Sequence, residues 1–377
     1  MTPPGSPAPA TPPTTLVTRL RNPDELLAAL PYLIGFHPCD SLLFIAFGGS
    51  SGRRIELTQR VDLPPADDAP AVCRALAANV LRVAPAGVAV VVVGGDPVAA
   101  GGVPFGGALP SNDLAAVAEE ALVACGVTVQ SRTWAAGTGA GAAWACYDTC
   151  GCRGAVPDPD TTPFAATAVA AGLVALADRA DLEKLVAPTT PGRLRRRARM
   201  LTRAVDAALD PADPRVKLGL ADDPTDGPGD PVPTGHALDE AAAGRLHLDD
   251  GRVVALALAL SDVEVRDAAL ARCAASDVDG AEHLWAALTR ETPDPEAAEP
   301  AVLLAACAQL RGDGALAGIA LDRAEQAWPG HRLTRLLRAV WAAGIPPERV
   351  RECLSAPEPP AMPVTRVVGR GRRRSRR

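Results

Sequence analysis

The spacing of apolar residues changes near residue 162. Before that point, apolar runs of strand length alternate with segments in which apolar residues recur every three or four positions, as in "SLLFIAF", "APAVCRALAANVLRVA" and "GVAVVVVGG". Alternating strands and helices predict a layered α/β domain. After residue 162 only the helical spacing persists. The sequence therefore predicts an α/β N-terminal domain, with helices on a mixed sheet, followed by an all-α domain of helical hairpins.

Composition divides the chain further. With 377 residues, 48% of them hydrophobic, the chain can bury two cores. Both ends lack apolar periodicity and are predicted to be disordered, the first rich in proline and the last rich in arginine. The predicted units are a tail over 1–15, the α/β domain over 16–160, connecting helices over 161–209, an Asp/Pro/Gly-rich linker over 210–235, the helical domain over 236–355 and a tail over 356–377.

The helical part contains an internal repeat. Small and large residues in "PAVLLAACAQLRGDGALAGIALDRAEQAWPG" fall at the positions of a helix–turn–helix unit that resembles the tetratricopeptide repeat. Ala281, Trp285, Leu288 and Pro293 stand at the same relative offsets upstream. Such units bury their faces only against neighbours, so the pattern predicts a small helical array. A plain helical bundle whose alanines coincide with the pattern is the alternative.

Charge and cysteine content restrict the partners. The net charge is -6, and the last thirteen residues hold seven arginines and no acid, so the rest of the chain carries about -13. An acidic body disfavours nucleic-acid binding, apart from weak contacts of the arginine tail. The start lacks signal-peptide features, and no apolar stretch approaches the roughly 20 residues of a membrane helix. Nine scattered cysteines predict reduced thiols. We expect a soluble cytoplasmic protein without a membrane partner.

The stretch "PYLIGFHPCDSLLFIAF" places four chemically active side chains directly before a predicted strand. Asp40 and Ser41 are turn formers, and Pro38 makes the preceding residue extended, so a structural turn explains the composition. The catalytic alternative takes His37 as general base, oriented by Asp40, with Ser41 or Cys39 as nucleophile. Ligand sites of parallel sheets lie beyond the carboxyl ends of strands, which argues against a site that precedes its strand. The predicted catalytic residues are His37, Asp40 and Ser41.

The segment "CYDTCGC" brings three thiols into seven residues. A zinc site takes four nitrogen or sulfur ligands in tetrahedral geometry. Cys146, Cys150 and Cys152 could supply three of them, with His37 or Cys39 as the fourth. These three cysteines are the candidate metal ligands, with zinc as the candidate ion and the cofactor otherwise left open, and the spacing matches no standard pair of CxxC knuckles. An unliganded cluster or a redox pair is the alternative.

Three segments suggest phosphate binding, and none carries a complete motif. "VVVVGGDP" and "GTGAGA" lack the GxGxxG pattern that opens a helix, and no P-loop occurs. "GRLRRRARMLTRAVDAAL" is an amphipathic helix with Arg193, Arg196, Arg199 and Arg203 largely off its apolar face. We interpret these arginines as neutralising acidic groups of the same chain, with an acidic partner or a phosphate as the alternative. No cofactor-binding residues for a nucleotide are predicted.

Three stretches together resemble a bacterial family of unknown function, DUF4192: "LRNPDELLAALPYLIGFHPCDSLLFIAF", "RVDLP" and "RGDGALAGIALDRA". The resemblance covers residues 16–355 and implies no activity. Members carry a cysteine followed shortly by two adjacent cysteines and a proline, whereas this chain has Cys150 and Cys152 split and Pro157 further on. The resemblance implies signature positions at Pro31, Tyr32, Gly35, Phe36, His37, Pro38, Asp40 and Ser41.

The sequence favours a protein-interaction or regulatory module with a protein partner, because helical hairpins present extended partner surfaces and no complete catalytic constellation is visible. Two alternatives remain open. One is a hydrolase-type enzyme that uses His37, Asp40 and Ser41. The other is a metal- or redox-responsive protein that uses Cys146 and its neighbouring thiols.

Overall fold

A computed structural model describes residues 22–95, 109–170, 172–208, 233–275, 278–343 and 347–355, together with Leu20 and Ile345. Both predicted tails lie outside these residues, and so does the predicted linker except for its last three residues, which begin a helix. A six-stranded sheet with helices comes first, and a helical region follows. The prediction of an α/β part followed by an all-α part is confirmed.

The sheet is mixed, with strand order β2-β1-β3-β4-β5-β6. Strand β3 is parallel to β4, and every other neighbouring pair is antiparallel. Because β1 runs antiparallel to β3, the first residue of β1, Ser41, lies opposite the last residue of β3, Val93. The residues before β1 therefore lie at the carboxyl edge of the parallel pair. The strands are β1 (Ser41–Gly48), β2 (Arg54–Asp62), β3 (Gly87–Val93), β4 (Val129–Ala135), β5 (Ala143–Cys146) and β6 (Arg153–Ala155).

Helices cover both faces of the sheet: α1 (Pro23–Ile34), α2 (Ala69–Val80) and α3 (Asn112–Ala124). Successive residues of β1 point to opposite faces. Leu42 and Phe44 pack in the core with residues of α2 and α3, and Leu43 and Ile45 pack with residues of α1. Helix α1 continues through Pro31 to Ile34, and its last turn buries further apolar surface against the sheet.

The helical region is built around one buried helix, α11, in which residues 298–310 are all buried. Helix α12 follows α11 after the two-residue turn Gly312–Asp313, which gives the helical hairpin expected for that segment. The relation to tetratricopeptide repeats stays a prediction. The helices after the sheet are α4 (Pro163–Ala170), α5 (Arg179–Lys184), α6 (Pro191–Ala208), α7 (Pro233–Ala242), α8 (Asp250–Leu260), α9 (Val263–Ala275), α10 (Val278–Glu291), α11 (Ala298–Arg311), α12 (Gly314–Ala327), α13 (Arg332–Ala342) and α14 (Pro347–Ser355).

None of the helices in the described part of the chain has both the length and the apolar character that crossing a bilayer requires.

The sheet and the helical region meet at residues 31–41, which carry the signature positions and form the signature segment. The Leu176 N–H donates to Gly35 O at 2.9 Å, and the His37 N–H donates to Leu176 O at 3.0 Å. The Leu176 side chain packs against the core under α1 and also against the core of the helical region. A Cβ placed on Gly35 would lie 3.7 Å from Leu182 Cδ1 and 3.8 Å from an oxygen of Asp313. The signature segment therefore joins the two parts of the fold.

Candidate functional site

The turn before β1 holds the predicted catalytic residues at the carboxyl edge of β3 and β4. His37 is half-buried, and its Nδ1 lies 3.0 Å from Thr138 Oγ1, in the loop between β4 and β5. Asp40 is exposed, and its Oδ1 accepts a hydrogen bond from the Gly95 N–H at 3.0 Å. Within the described residues, no hydrogen bond joins the side chains of His37, Asp40 and Ser41 to one another.

Ser41 is fully buried and already bound on both sides. Its Oγ donates to Cys39 O at 2.6 Å and accepts from Arg60 Nε at 2.8 Å. The Arg60 guanidinium also lies 5.6 Å above the Phe36 ring and pairs with Asp62 at 2.6 Å. A serine nucleophile needs a base within hydrogen-bond reach and a path to substrate. The geometry therefore favours a structural turn, and the catalytic roles of these residues stay predictions.

The glycines after β3 accommodate Asp40. Gly94 has φ +82°, and a Cβ there would approach Asp40 Oδ1 to 2.6 Å and Asp40 N to 2.9 Å. The Gly95 N–H, which a bound phosphate could otherwise use, donates to the Asp40 carboxylate. Gly94 and Gly95 therefore serve the turn before β1.

Tyr32, another signature residue, is a buried residue of α1, and its hydroxyl reaches the segment before α4. Its hydroxyl donates to Asp160 Oδ1 at 2.7 Å. Burial, together with the hydrogen bond to Asp160 and that residue's negative charge, raises the pKa of Tyr32 to about 12. This tyrosine therefore keeps its proton and fastens α1 to the chain that follows β6.

The three cysteines of "CYDTCGC" come together at one hairpin. Cys146 ends β5, Cys150 lies in the following turn, and Cys152 stands directly before β6. The cluster is thus the connection of the β5–β6 hairpin itself. Their three Sγ atoms lie within 4.8 Å of one another. Cys146 is half-buried, and the other two cysteines are exposed.

The backbone holds this cluster in shape. The Cys146 N–H donates to Cys152 O at 2.9 Å, which joins the two ends of the turn. The Cys152 N–H lies 3.4 Å from Cys150 Sγ and donates to it. The spacing of the thiols therefore follows from hairpin pairing, which local sequence spacing alone does not specify.

The three thiols differ in acidity. Burial, followed by a hydrogen bond with Cys150, raises the pKa of Cys146 to about 12. Hydrogen bonds from the Cys152 thiol and then from its backbone N–H lower the pKa of Cys150, and the same thiol–thiol bond raises the pKa of Cys152. Cys150 is therefore the first of the three to become a thiolate, the form that binds metals and attacks oxidants.

The structure does not add the predicted fourth ligand. Neither His37 nor Cys39 belongs to the group of ligand atoms formed by the three cysteines within the described residues. His37 instead contacts Thr138, and Cys39 is exposed next to the Ser41 turn. The donor set fits a thiophilic metal ion bound by three sulfurs, and a fourth zinc ligand would come from outside the cluster.

The arginines of α6 pair with acidic residues of the same chain. Arg193 lies 3.4 Å from Glu291, and Arg196 pairs with Asp250. Arg197 is 0% exposed, donates to Asp250 at 2.8 Å and also binds Glu291. These contacts support charge neutralisation within the chain. They also assign the central role to Arg197, a residue that the sequence pattern did not single out.

The sequence pattern also did not reveal the residues that position the turn before β1 and the cysteine-bearing turn between β5 and β6. Thr138 and Arg60 bind residues of the signature turn from loops and strands far along the chain. Arg132 of β4 binds Asp148, which lies inside the thiol turn, with Nε 2.9 Å from Oδ1. Only the pairing of strands brings these residues to their partners, so no local pattern could have found them.

Searches of curated proteins and of solved structures gave no match to this chain. Its sequence matches the family model described as "Domain of unknown function (DUF4192)" over residues 23–348. The match includes the turn before β1, the β5–β6 hairpin with its three cysteines, and the helical region up to the start of α14. The chain therefore belongs to the DUF4192 family.

Proposed function

We propose that this protein is a regulatory module that responds to a metal ion or an oxidant through Cys146, Cys150 and Cys152. The observation that carries the proposal is the approach of all three Sγ atoms to within 4.8 Å. Clustered thiolates bind soft metals and form disulfides, and both reactions need accessible sulfur. Cys150 and Cys152 meet that need because they are exposed.

The hairpin that carries the thiols connects to the core. Cys146 and Trp144 alternate on β5 with Ala145, so both side chains point to the face of the sheet that α1 covers. Trp144 is buried there, 7% exposed. Binding or oxidation at the turn would stabilise the short β5–β6 pairing, because a ligand held by residues of a folded hairpin favours that fold. The cluster can thereby transmit its state to the sheet.

The hydrolase alternative has less geometric support. Ser41 is buried, and its Oγ is engaged by Arg60 and Cys39. His37 contacts Thr138 and has no described hydrogen bond to Ser41 or Asp40. The thiol cluster has its reactive atoms adjacent and exposed, so we propose it as the site of function.

The response is tested by native mass spectrometry of the reduced full-length protein. We expect the mass of one added thiophilic metal ion, or the loss of two hydrogens after hydrogen peroxide, and faster alkylation of Cys150 than of Cys152. The matched control replaces cysteines outside the cluster, Cys39→Ser and Cys125→Ser, and should keep the response. The proposal fails if neither metal nor peroxide changes the mass of the wild-type protein or slows alkylation of its cluster thiols.

A cytoplasmic protein partner for the helical region is a second proposal. It is supported by two indole side chains that remain substantially exposed, Trp328 at 46% and Trp341 at 42%, because tryptophan is enriched at protein interfaces. A photo-cross-linking amino acid at position 328 should capture a specific polypeptide in the living cell. The same amino acid at Glu264, an exposed position of α9, is the control. Equal capture from both positions would contradict a binding surface at Trp328.

A further inference from the structure

Among the residues that the structure describes, the cysteine cluster at the β5–β6 turn offers three sulfur ligands and no fourth side-chain ligand. Among the described residues, the set of histidine, cysteine and carboxylate ligand atoms within 4.8 Å of one another at this hairpin is Cys146, Cys150 and Cys152. The turn residues between them are Tyr147, Asp148, Thr149 and Gly151. Of these, only Asp148 carries a carboxylate that lies near the sulfurs in sequence.

The carboxylate of Asp148 already binds Arg132. Its Oδ1 accepts from Arg132 Nε at 2.9 Å and from a terminal nitrogen of Arg132 at 2.7 Å. Its Oδ2 accepts from the Arg132 backbone N–H at 3.3 Å. The same guanidinium also pairs with Glu119 of α3 at 2.7 Å. Using Asp148 Oδ1 as a metal ligand would compete with the two guanidinium nitrogens of Arg132 that bind it, and this charged pair fastens the turn to β4.

The side chain of Tyr147 is directed elsewhere as well. Its hydroxyl donates to Pro110 O at 2.6 Å, in the segment before α3. The residues beside Cys146 thus hold the turn against β4 and α3 and are bound to partners other than the sulfurs. The fourth position of a tetrahedral ion would have to be filled by solvent or by an external molecule.

The thiophilic ions differ in the number of ligands that they bind. Zinc takes four ligands, and structural zinc sites are closed by four protein side chains. Sulfur ligands also select monovalent copper, which is saturated by three thiolates in a trigonal plane. Trivalent arsenic is likewise saturated by three sulfurs, in a trigonal pyramid whose remaining position holds a lone pair. Resting on the response proposed above, we propose that the cluster binds an ion that is complete with three sulfur ligands.

Both forms of binding balance without a redox step. Arsenous acid exchanges its three hydroxyl groups for three thiols, so that three As–S bonds form, three As–O bonds break and three waters leave. Monovalent copper replaces the protons of the three thiols, which pass to solvent, and the copper stays monovalent. Neither reaction needs a further protein ligand, and Asp148 keeps its pair with Arg132 in both.

The test is a competition between ions on the reduced full-length protein under anaerobic conditions. Monovalent copper, arsenite and divalent zinc are titrated separately and then against one another, and X-ray absorption at the bound element counts its sulfur neighbours. We expect one equivalent of copper or arsenic with three sulfurs and no nitrogen or oxygen ligand. The tighter of the two affinities, for monovalent copper or for arsenite, decides which ion we assign to the cluster.

Substitutions connect this coordination to the residues. Cys150→Ser and Cys152→Ser remove exposed sulfurs with little risk to the fold, and each should weaken binding by at least about tenfold. Cys39→Ser, an exposed cysteine outside the cluster, should change the affinity less than about twofold. Asp148→Asn removes the carboxylate that lies within the turn itself, and the count of three sulfurs should persist.

The outcomes separate this inference from the proposed function. If zinc binds more tightly than both other ions and shows a fourth ligand, the three-ligand inference is overturned while a metal response stands. If no ion binds but peroxide joins two of the thiols, the inference is overturned and the redox response stands. If neither occurs, the proposed function fails as well.

Discussion

At the scale of single residues, Gly94 is the position where one added methyl group should do the most damage to the signature turn. Its φ is +82°, and a Cβ would stand 2.9 Å from the backbone nitrogen of Asp40. Gly126 has a similar φ of +76° but nothing within 4 Å of a Cβ, which makes it the matched control. A left-handed backbone costs a non-glycine residue about 1–2 kcal/mol.

We therefore expect Gly126→Ala to lower the free energy of unfolding by about that amount and Gly94→Ala to lower it by about 3 kcal/mol or more, since the Asp40 backbone must also move. Urea unfolding of the two variants measures both values. Equal losses in the two variants would show that Asp40 does not pack on Gly94 as described.

The two tyrosines give a prediction about alkaline pH. Tyr32 and Tyr147 are the only tyrosines in the chain, and burial raises the pKa of each, that of Tyr32 to about 12. The folded state thus holds the phenol protons more tightly than the unfolded state, where the pKa is near 10. The contribution of Tyr32 to stability is complete below pH 10 and is lost as the pH rises from about 10 to 12, and that of Tyr147 also begins to fall above pH 10.

Tyr32→Phe should lose the hydrogen bond to Asp160, at about 1 kcal/mol near neutral pH. It should also show a shallower fall of unfolding free energy above pH 10 than the wild type. Urea unfolding at several pH values, with ultraviolet titration of the phenols, gives both quantities. A phenol that ionises near pH 10 in folded Tyr147→Phe would refute the burial of Tyr32.

At this scale the sequence singled out the signature positions and the three cysteines, but not the residues that bind them. The signature positions and the three cysteines were visible because unusual residues cluster locally. The partners of His37 and Ser41 were not visible, because Thr138 and Arg60 reach them only through strand pairing. The objection that the turn precedes its strand assumed a parallel neighbour, whereas β1 is antiparallel to β3. Strand direction depends on the whole sheet, and no local spacing encodes it.

At the scale of elements, α6 is held to the helical region by one buried charge. Arg197 is 0% exposed and reaches both Asp250 at the start of α8 and Glu291 at the end of α10. Truncating it removes the buried guanidinium that binds both acids and leaves them the exposed Arg193 and Arg196 as partners. Breaking a buried pair costs about 3–5 kcal/mol. Arg199 is exposed in the same helix, so its truncation should cost less than about 0.5 kcal/mol.

We expect Arg197→Ala to lower the midpoint of urea unfolding sharply and Arg199→Ala to leave it nearly unchanged. The amphipathic pattern predicted α6 and its arginine-rich face. It could not rank the arginines, because Arg197 is distinguished only by two acids that lie 53 and 94 residues away. Comparable effects of the two substitutions would contradict the buried position of Arg197.

At the scale of the whole molecule, the sheet and the helical region should unfold together. Leu176 pairs through its backbone with Gly35 and His37, and its side chain packs against both cores. A residue shared by two cores couples their stability, because either core loses contacts when the other opens. We therefore expect a single calorimetric transition for the wild-type protein.

Leu176→Ala should weaken this coupling and divide the transition in two. The matched control is Leu284→Ala, which removes a fully buried side chain from the helical core alone. It should lower the free energy of unfolding by about 2–5 kcal/mol and leave a single transition. Tryptophan fluorescence separates the parts when single tryptophans are retained, because Trp134 and Trp144 lie in the sheet and Trp285 lies in the helical core. Two transitions already present in the wild type would mean that the signature segment joins the two parts in space without coupling their unfolding.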